Sequence, residues 1–152
     1  MRRLPAGLLI VLVAAVAVGG ALLALQSRDD AGVGAASGPG ERVLDRCPAH
    51  AAPVTRDRRR LSAAQIQTAL AQGNVVVLYA ATAPPRRLRR LQHDLSGPFD
   101  AEIAVAGQAV ILARGGPAEA RAWGRRIDAR SPQLRDFAEA WLGAGAPEPC
   151  PS

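Results

Sequence analysis

The side chains with the greatest chemical reactivity in this chain belong to two cysteines and two histidines. Cys47 and Cys150 stand at the two ends of the region that carries the predicted helices and strands. Thiols outside the cytoplasm tend to be oxidised, and no third cysteine competes, so the pair predicts one disulfide that closes this region. Two free thiols are the alternative. Two cysteines without a nearby histidine pair are too few ligands for zinc, and no metal site is predicted.

Neither histidine has the neighbours that acid–base or nucleophilic catalysis requires. His50 follows Cys47 in a predicted loop, and His93 falls on the charged side of a predicted helix. No serine, cysteine or carboxylate motif accompanies either of them. The carboxylates are scattered, and the chain has no GxGxxG, P-loop or GxSxG pattern. The sequence therefore predicts no catalytic, cofactor-binding or metal-binding residues, and it disfavours an enzyme.

Positive charge is the other chemical feature. All 19 basic residues are arginines, and 13 acidic residues leave a formal net charge of +6. One group of arginines comprises Arg56, Arg58, Arg59 and Arg60, and a second comprises Arg86, Arg87, Arg89 and Arg90. A solvated face is one interpretation, and a surface for an anionic partner such as lipid headgroups is the other. We take the second group as the candidate surface. Aromatic residues make up only 3% of the chain, so no nucleic-acid partner is predicted.

The N-terminal segment predicts attachment to a membrane. Gly7 to Leu25 contains 19 residues without a charge, and a helix of that length spans roughly 28 Å, about one hydrocarbon core. Arg2 and Arg3 precede it, which favours a cytoplasmic N-terminus and a C-terminal region outside. We predict a single-pass protein of the cell membrane, with residues 1–6 cytoplasmic, 7–25 a transmembrane signal anchor, 26–42 a flexible linker and 43–152 an extracytoplasmic domain. A cleaved signal peptide is the alternative.

The pattern of apolar residues, caps and turns predicts a small α+β domain. A helix begins at Ser62 and ends at Gly73, and the apolar run Val75 to Tyr79 is typical of a buried strand. The remaining predicted elements are a helix opened by Pro84-Pro85, strands at 108–113 and 120–127, and a helix after Ser131-Pro132. The predicted order α-β-α-β-β-α gives a mixed three-stranded sheet. Its first two strands, linked by a helix, are expected to be parallel or near neighbours with a right-handed crossover. Its last two are expected to form an antiparallel hairpin across a glycine turn.

Three segments resemble domain of unknown function 3105, a family of bacterial proteins of which many have a single N-terminal membrane segment. They are Leu70 to Tyr79, AWGRRI at 122–127 and FAEAWLG at 137–143, and the resemblance runs from about Leu61 to the C-terminus. In that family the helix-to-strand junction typically reads His-x-Leu-Glu-His-Gly. Its polar positions fall here on Thr68, Ala71 and Gln72. The resemblance therefore implies the scaffold of a site without side chains that bind a metal or carry a proton.

The sequence as a whole favours a membrane-anchored extracytoplasmic module that binds or scaffolds and has no catalysis. Its expected partners are the membrane, through the N-terminal helix, and a protein or an anionic surface. Two alternatives stay open. One is a metal-assisted enzyme of unidentified reaction, and the other is an arginine-rich surface that binds an anionic lipid or polymer.

Overall fold

A computed structural model describes residues 38–48, 52–148 and 150 of the chain. The predicted transmembrane anchor at 7–25 and most of the predicted linker lie outside these residues. Within the described ranges, no helix has the length and apolar character needed to cross a bilayer.

A five-stranded mixed sheet forms the centre of the domain. Its strands are β1 (Glu41–Arg42), β2 (Val75–Tyr79), β3 (Val110–Arg114), β4 (Glu119–Ala122) and β5 (Arg125–Asp128), arranged side by side as β1-β5-β4-β2-β3. The β2 and β3 strands are parallel, and every other pair is antiparallel. The β2 strand is buried along its whole length, which suits its β-branched and aromatic residues.

Helices cover both faces of the sheet. The helices α1 (Ala63–Gln72) and α3 (Ala101–Val105) pack on one face, and α2 (Arg86–Ser96) and α4 (Leu134–Trp141) pack on the other. The first turn of α1 has a capping box: the Ser62 hydroxyl accepts from the Gln65 amide, and the Gln65 side chain accepts from the Ser62 amide. The α1 helix ends at Gly73, whose φ of +107° is open to glycine and rare for other residues.

Side chains alternate between two apolar cores along the central strands. Val75, Val77 and Tyr79 belong to the core under α2 and α4, whereas Val76 and Leu78 belong to the core under α1 and α3. Since successive side chains of a strand point to opposite faces, one short strand holds both layers of helices.

The predicted α+β class, the mixed sheet and the parallel β2–β3 pair are confirmed. The predicted three-stranded sheet and the order α-β-α-β-β-α are wrong, because the observed order is β-α-β-α-α-β-β-β-α. The short α3 helix follows Asp100, whose carboxylate accepts from the amides of Glu102 and Ile103. The strand predicted at 120–127 is in fact two strands, because the chain turns at Trp123-Gly124, where Gly124 has a φ of +69°.

The predicted hairpin between the second and third strands is also wrong. The β4 strand pairs with β2 on the side away from β3, with Ala120 opposite Val77. The outer edge of β3 is already occupied, since the Arg58 amide donates to the Leu112 carbonyl and the Arg114 amide donates to the Arg59 carbonyl. A segment outside the regular strands thus forms hydrogen bonds with the backbone groups of this edge. The chain after β3 pairs on the other side of β2.

The N-terminal segment of the described chain is part of the fold. The β1 strand, whose residues fall in the predicted linker, pairs with β5, and Trp141 Nε1 donates to the Pro39 carbonyl at 2.8 Å. The buried carboxylate of Asp45 then accepts from Arg121 at 2.9 Å, from Gln67 at 3.0 Å and from the Gly124 amide at 2.8 Å. One carboxylate therefore ties this segment to β4, to the β4–β5 turn and to α1.

Candidate functional site

The helix-to-strand junction at Gly73 is closed by two other parts of the chain. The C-terminal segment lies across it, where the Gly143 amide donates to the Gly73 carbonyl at 2.8 Å and the Ala146 amide donates to the Ala71 carbonyl at 2.9 Å. On another side Gly107 lies directly against the Gln72 carbonyl. The junction serves as a packing centre for α1, α3 and the C-terminal segment.

The three positions that the family resemblance singles out are half-buried beside this packing centre. The Thr68 hydroxyl is buried and has no hydrogen-bond partner among the described residues. Ala71 has no functional side chain, and the backbone carbonyls of Ala71 and Gln72 face the closing segments. The structure thus places Thr68, Ala71 and Gln72 close to one another on α1, at the i, i+3 and i+4 spacing of one helix face.

A buried asparagine holds the junction together. Asn74 is 1% exposed, and its side chain uses both donor and acceptor. Its Nδ2 donates to the carbonyls of Ala69 at 3.0 Å and Ala104 at 2.7 Å, while its Oδ1 accepts from the Ala109 amide at 2.9 Å. These three bonds join the end of α1, the end of α3 and the start of β3, so Asn74 fixes the relative positions of three elements.

Replacing Asn74 with alanine should destabilise the domain by about 1 to 3 kcal/mol, because it leaves the buried Ala109 amide without its acceptor. The Ala69 and Ala104 carbonyls each lose one bond and keep another from a backbone amide. The measurement is urea denaturation of the full chain in nonionic detergent, with tryptophan fluorescence as the signal of unfolding. Gln108→Ala is the control, since Gln108 is an exposed amide side chain in the same region. Equal midpoints for the two variants would show that the Asn74 bonds contribute little.

Neither histidine takes part in a cluster of functional groups in the described structure. His93 is exposed on α2, with its Nδ1 3.9 Å from Asp94 Oδ1. His50 lies outside the described residues. Across the ranges that the structure describes, no three histidine, cysteine, aspartate or glutamate side chains are placed to hold a metal ion.

Two buried polar side chains, Tyr79 and Gln92, lie on the side of the sheet that α2 covers. Tyr79 is 2% exposed, and its hydroxyl has no hydrogen-bond partner among the described residues. Gln92 Nε2 donates to Asp57 at 2.9 Å and to the Val110 carbonyl at 2.8 Å, and Val110 is paired with the first residue of β2. Burial first, and the negative charge of Asp57 second, raise the pKa of Tyr79, so its phenol stays neutral. A neutral phenol without a hydrogen-bonded base is not an activated nucleophile.

The α2 helix presents the candidate surface for an anionic partner, which we call the α2 arginine face. Its members are exposed, whereas Leu88 and Leu91 are buried beneath them. They are Arg86, Arg87, Arg89 and Arg90. One of them, Arg87, donates to the Ala129 carbonyl at 2.9 Å. In the described part of the chain, no carboxylate lies within ion-pair distance of any of the four.

The carboxylate that could have neutralised this face is engaged elsewhere. Asp94, one turn beyond Arg90, pairs with Arg135 of α4 at 2.5 Å. Arg135 also pairs with Glu139 at 3.1 Å within its own helix. The α2 arginine face therefore keeps its positive charge facing solvent.

The predicted disulfide is confirmed. Cys47 and Cys150 are bonded, with their Cα atoms 5.3 Å apart and 103 positions apart in sequence. The bond links the segment that Asp45 anchors to the segment that covers the junction. It thereby closes the domain at its two ends.

Sequence reasoning missed the buried polar residues that organise this region, Asp45, Asn74 and Gln92. Asn74 carries a signal, because it stands between a helix-ending glycine and the continuous apolar run of β2. A polar residue at such a place is buried with the run and needs partners from other elements. Gln92 falls on the same face of α2 as Leu88 and Leu91, where the apolar spacing predicts burial.

The fold and this geometry define a disulfide-closed α+β domain with a positively charged helix face. No family model, curated protein or solved structure matches the chain. The resemblance to domain of unknown function 3105 accordingly stays a prediction from the three quoted segments.

Proposed function

We propose that this chain is a non-catalytic binding module of the cell membrane. In this proposal its N-terminal segment is the anchor, its disulfide-closed domain lies outside the cytoplasm, and the α2 arginine face contacts an anionic lipid surface. The observation that carries the proposal is a helix packed against the sheet, with four exposed arginines and no carboxylate partner for them among the described residues.

The chemistry of arginine suits such a partner. A guanidinium group is charged at every physiological pH and binds phosphate oxygens through two parallel hydrogen bonds. Leu88 and Leu91 pack the helix against the sheet, so the arginines already lie on one side of it. Binding therefore does not have to order a loop. Each arginine near an anionic membrane contributes about 1 kcal/mol, and salt weakens this attraction.

The non-catalytic part of the proposal is supported by the side chains at the junction and at the end of β2. Thr68, Ala71 and Gln72 offer neither imidazole nor carboxylate. Tyr79 is buried and neutral. The competing hypothesis is a metal-assisted enzyme, and stoichiometric metal in the purified full chain would favour it over the present proposal.

We expect the double variant Arg86→Gln/Arg89→Gln to bind anionic bilayers about thirtyfold more weakly than the natural chain, because it removes two exposed charges and leaves the Arg87 hydrogen bond intact. The full chain would be held in phosphatidylcholine nanodiscs and passed over supported bilayers of phosphatidylcholine with and without phosphatidylglycerol. Binding should require phosphatidylglycerol and should weaken as salt rises.

Arg42→Gln/Arg46→Gln is the matched control. It removes the same charge from exposed positions outside α2 and should bind like the natural chain. Equal loss in the two double variants would show that net charge, and not the α2 arginine face, governs binding. Soluble polyglutamate that displaces the chain from an anionic bilayer would show that the face accepts anionic polymers as well as lipid.

A further inference from the structure

A cavity of about 310 Å³ opens at the carboxyl ends of the two parallel strands. It lies beside Leu78 of β2 and Arg114 at the end of β3. Its lining combines two arginines, three apolar side chains and two glycines: Arg60, Leu61, Ile66, Leu78, Arg114, Gly115 and Gly116. In sheets with parallel strands, ligands commonly bind beyond the carboxyl ends of those strands.

The lining has an apolar floor and a cationic rim. Ile66 and Leu78 belong to the core under α1 and α3 and are 9% and 8% exposed, so their remaining surface faces this opening. Arg60 and Arg114 supply the charge, and no carboxylate lines the cavity. A smaller cavity of about 70 Å³ shares Arg60 and adds Arg56 and Arg59.

The backbone fixes the two arginines of the rim close together. The Arg114 amide donates to the Arg59 carbonyl at 2.8 Å, which places the residue after Arg59 beside the end of β3. A Cβ atom at Gly115 would lie 3.8 Å from Arg60 Cγ, so the stem of Arg60 passes over the turn after β3. Neither Arg60 nor Arg114 has an ion-pair partner among the described residues.

We propose that this cavity binds a small anion that carries an apolar group. The phosphate or carboxylate of the ligand lies against Arg60 and Arg114, and its apolar part covers Ile66 and Leu78. Ligand pockets in proteins begin at about 300 Å³, so the cavity suits a compact molecule such as an aryl or short-chain acyl compound. The site is separate from the α2 arginine face and does not depend on it.

The test uses the full chain in nonionic detergent and four soluble probes. Phenyl phosphate and benzoate carry both parts of the ligand, whereas inorganic phosphate and benzyl alcohol each carry one. Calorimetry should show saturable binding of phenyl phosphate or benzoate, at least tenfold tighter than either fragment. Whichever of phenyl phosphate and benzoate binds more tightly shows whether the site prefers a phosphate or a carboxylate. The amide resonances of Gly115 and Gly116 should shift on binding, which places the ligand in this cavity.

Arg60→Gln should weaken binding of the preferred probe about tenfold, because it removes one charge-assisted contact, and Arg114→Gln should act in the same direction. Arg42→Gln is the control with the same charge loss at an exposed position on β1, at the other edge of the sheet, and it should bind as the natural chain does. Equal weakening in Arg60→Gln and Arg42→Gln would overturn the proposal. So would unchanged binding in both rim variants, or a probe affinity no better than that of inorganic phosphate.

Discussion

Gly107→Ala is expected to destabilise the domain by about 3 kcal/mol or more, although it adds a single methyl group. A Cβ atom at this position would collide with the Gln72 carbonyl oxygen and would lie 2.7 Å from the Gln72 carbonyl carbon. Both neighbours are backbone atoms of the junction, so no side chain can move aside. The φ of Gly107 is +75°, and alanine in that conformation lowers the stability by about 1 to 2 kcal/mol. Overpacking lowers it by a further amount of about 1 to 3 kcal/mol.

Gly143→Ala is the matched control for this substitution. Gly143 has a φ of +85°, also in the left-handed region, and a Cβ atom there would meet nothing within 4 Å outside its chain neighbours. It should therefore show only the conformational penalty, about 1 to 2 kcal/mol. Urea denaturation of the two variants, in the full chain and in the same detergent, separates backbone conformation from close approach. Equal losses of stability would show that the backbone shifts to remove the clash between position 107 and the Gln72 carbonyl, with no further loss of stability.

The local elements of the fold could be predicted because their signals are contained in short windows. Ser62 and Gln65 stand three residues apart and form the capping box at the start of α1. The apolar run Val75 to Tyr79 has no polar face, and the strand is accordingly buried on both sides. The exposure of the α2 arginines follows in the same way from the helical spacing of Leu88 and Leu91.

The pairing of β4 could not be predicted from such windows. A short glycine-containing turn after β3 is compatible with a hairpin, and the sequence there does not show that the edge of β3 is occupied. The occupying backbone belongs to Arg58 and Arg59, more than fifty residues earlier in the chain. Arg58 also adopts a φ of +59°, a conformation that local propensity disfavours for arginine. Tertiary context decides both features.

The cavity at the strand ends escaped sequence reasoning for the same reason. Arg60, Ile66, Leu78 and Arg114 come from four separate segments, and the sequence groups Arg60 with its neighbours in a cluster of arginines. The parallel pairing of β2 and β3 was predictable, but the position of the Arg56 to Arg60 segment along the outer edge of β3 was not. Without that position, neither the rim nor its proximity to an apolar floor can be derived.

Loss of the disulfide is expected to lower the free energy of unfolding by about 4 kcal/mol. The bond closes a loop with a sequence separation of 103, for which chain entropy in the unfolded state gives about 4 to 5 kcal/mol, and measured values are often smaller. A domain of this size has a total stability of about 5 to 15 kcal/mol, so the loss is a large share. Without the bond, the C-terminal segment would be held at the junction chiefly by the amides of Gly143 and Ala146.

The measurement compares urea denaturation of the full chain with and without dithiothreitol, beside the double variant Cys47→Ser/Cys150→Ser. Reductant should lower the midpoint of the natural chain to that of the double variant, whose own midpoint should not respond to reductant. Alkylation without reductant should modify neither thiol of the natural chain, because both form the bond. Two modified thiols in protein from its native compartment, with an unchanged midpoint, would show that the domain reaches its stability without the bond. The entropic account also requires the single variant Cys150→Ser to lose as much stability as the double variant, since either substitution opens the same loop.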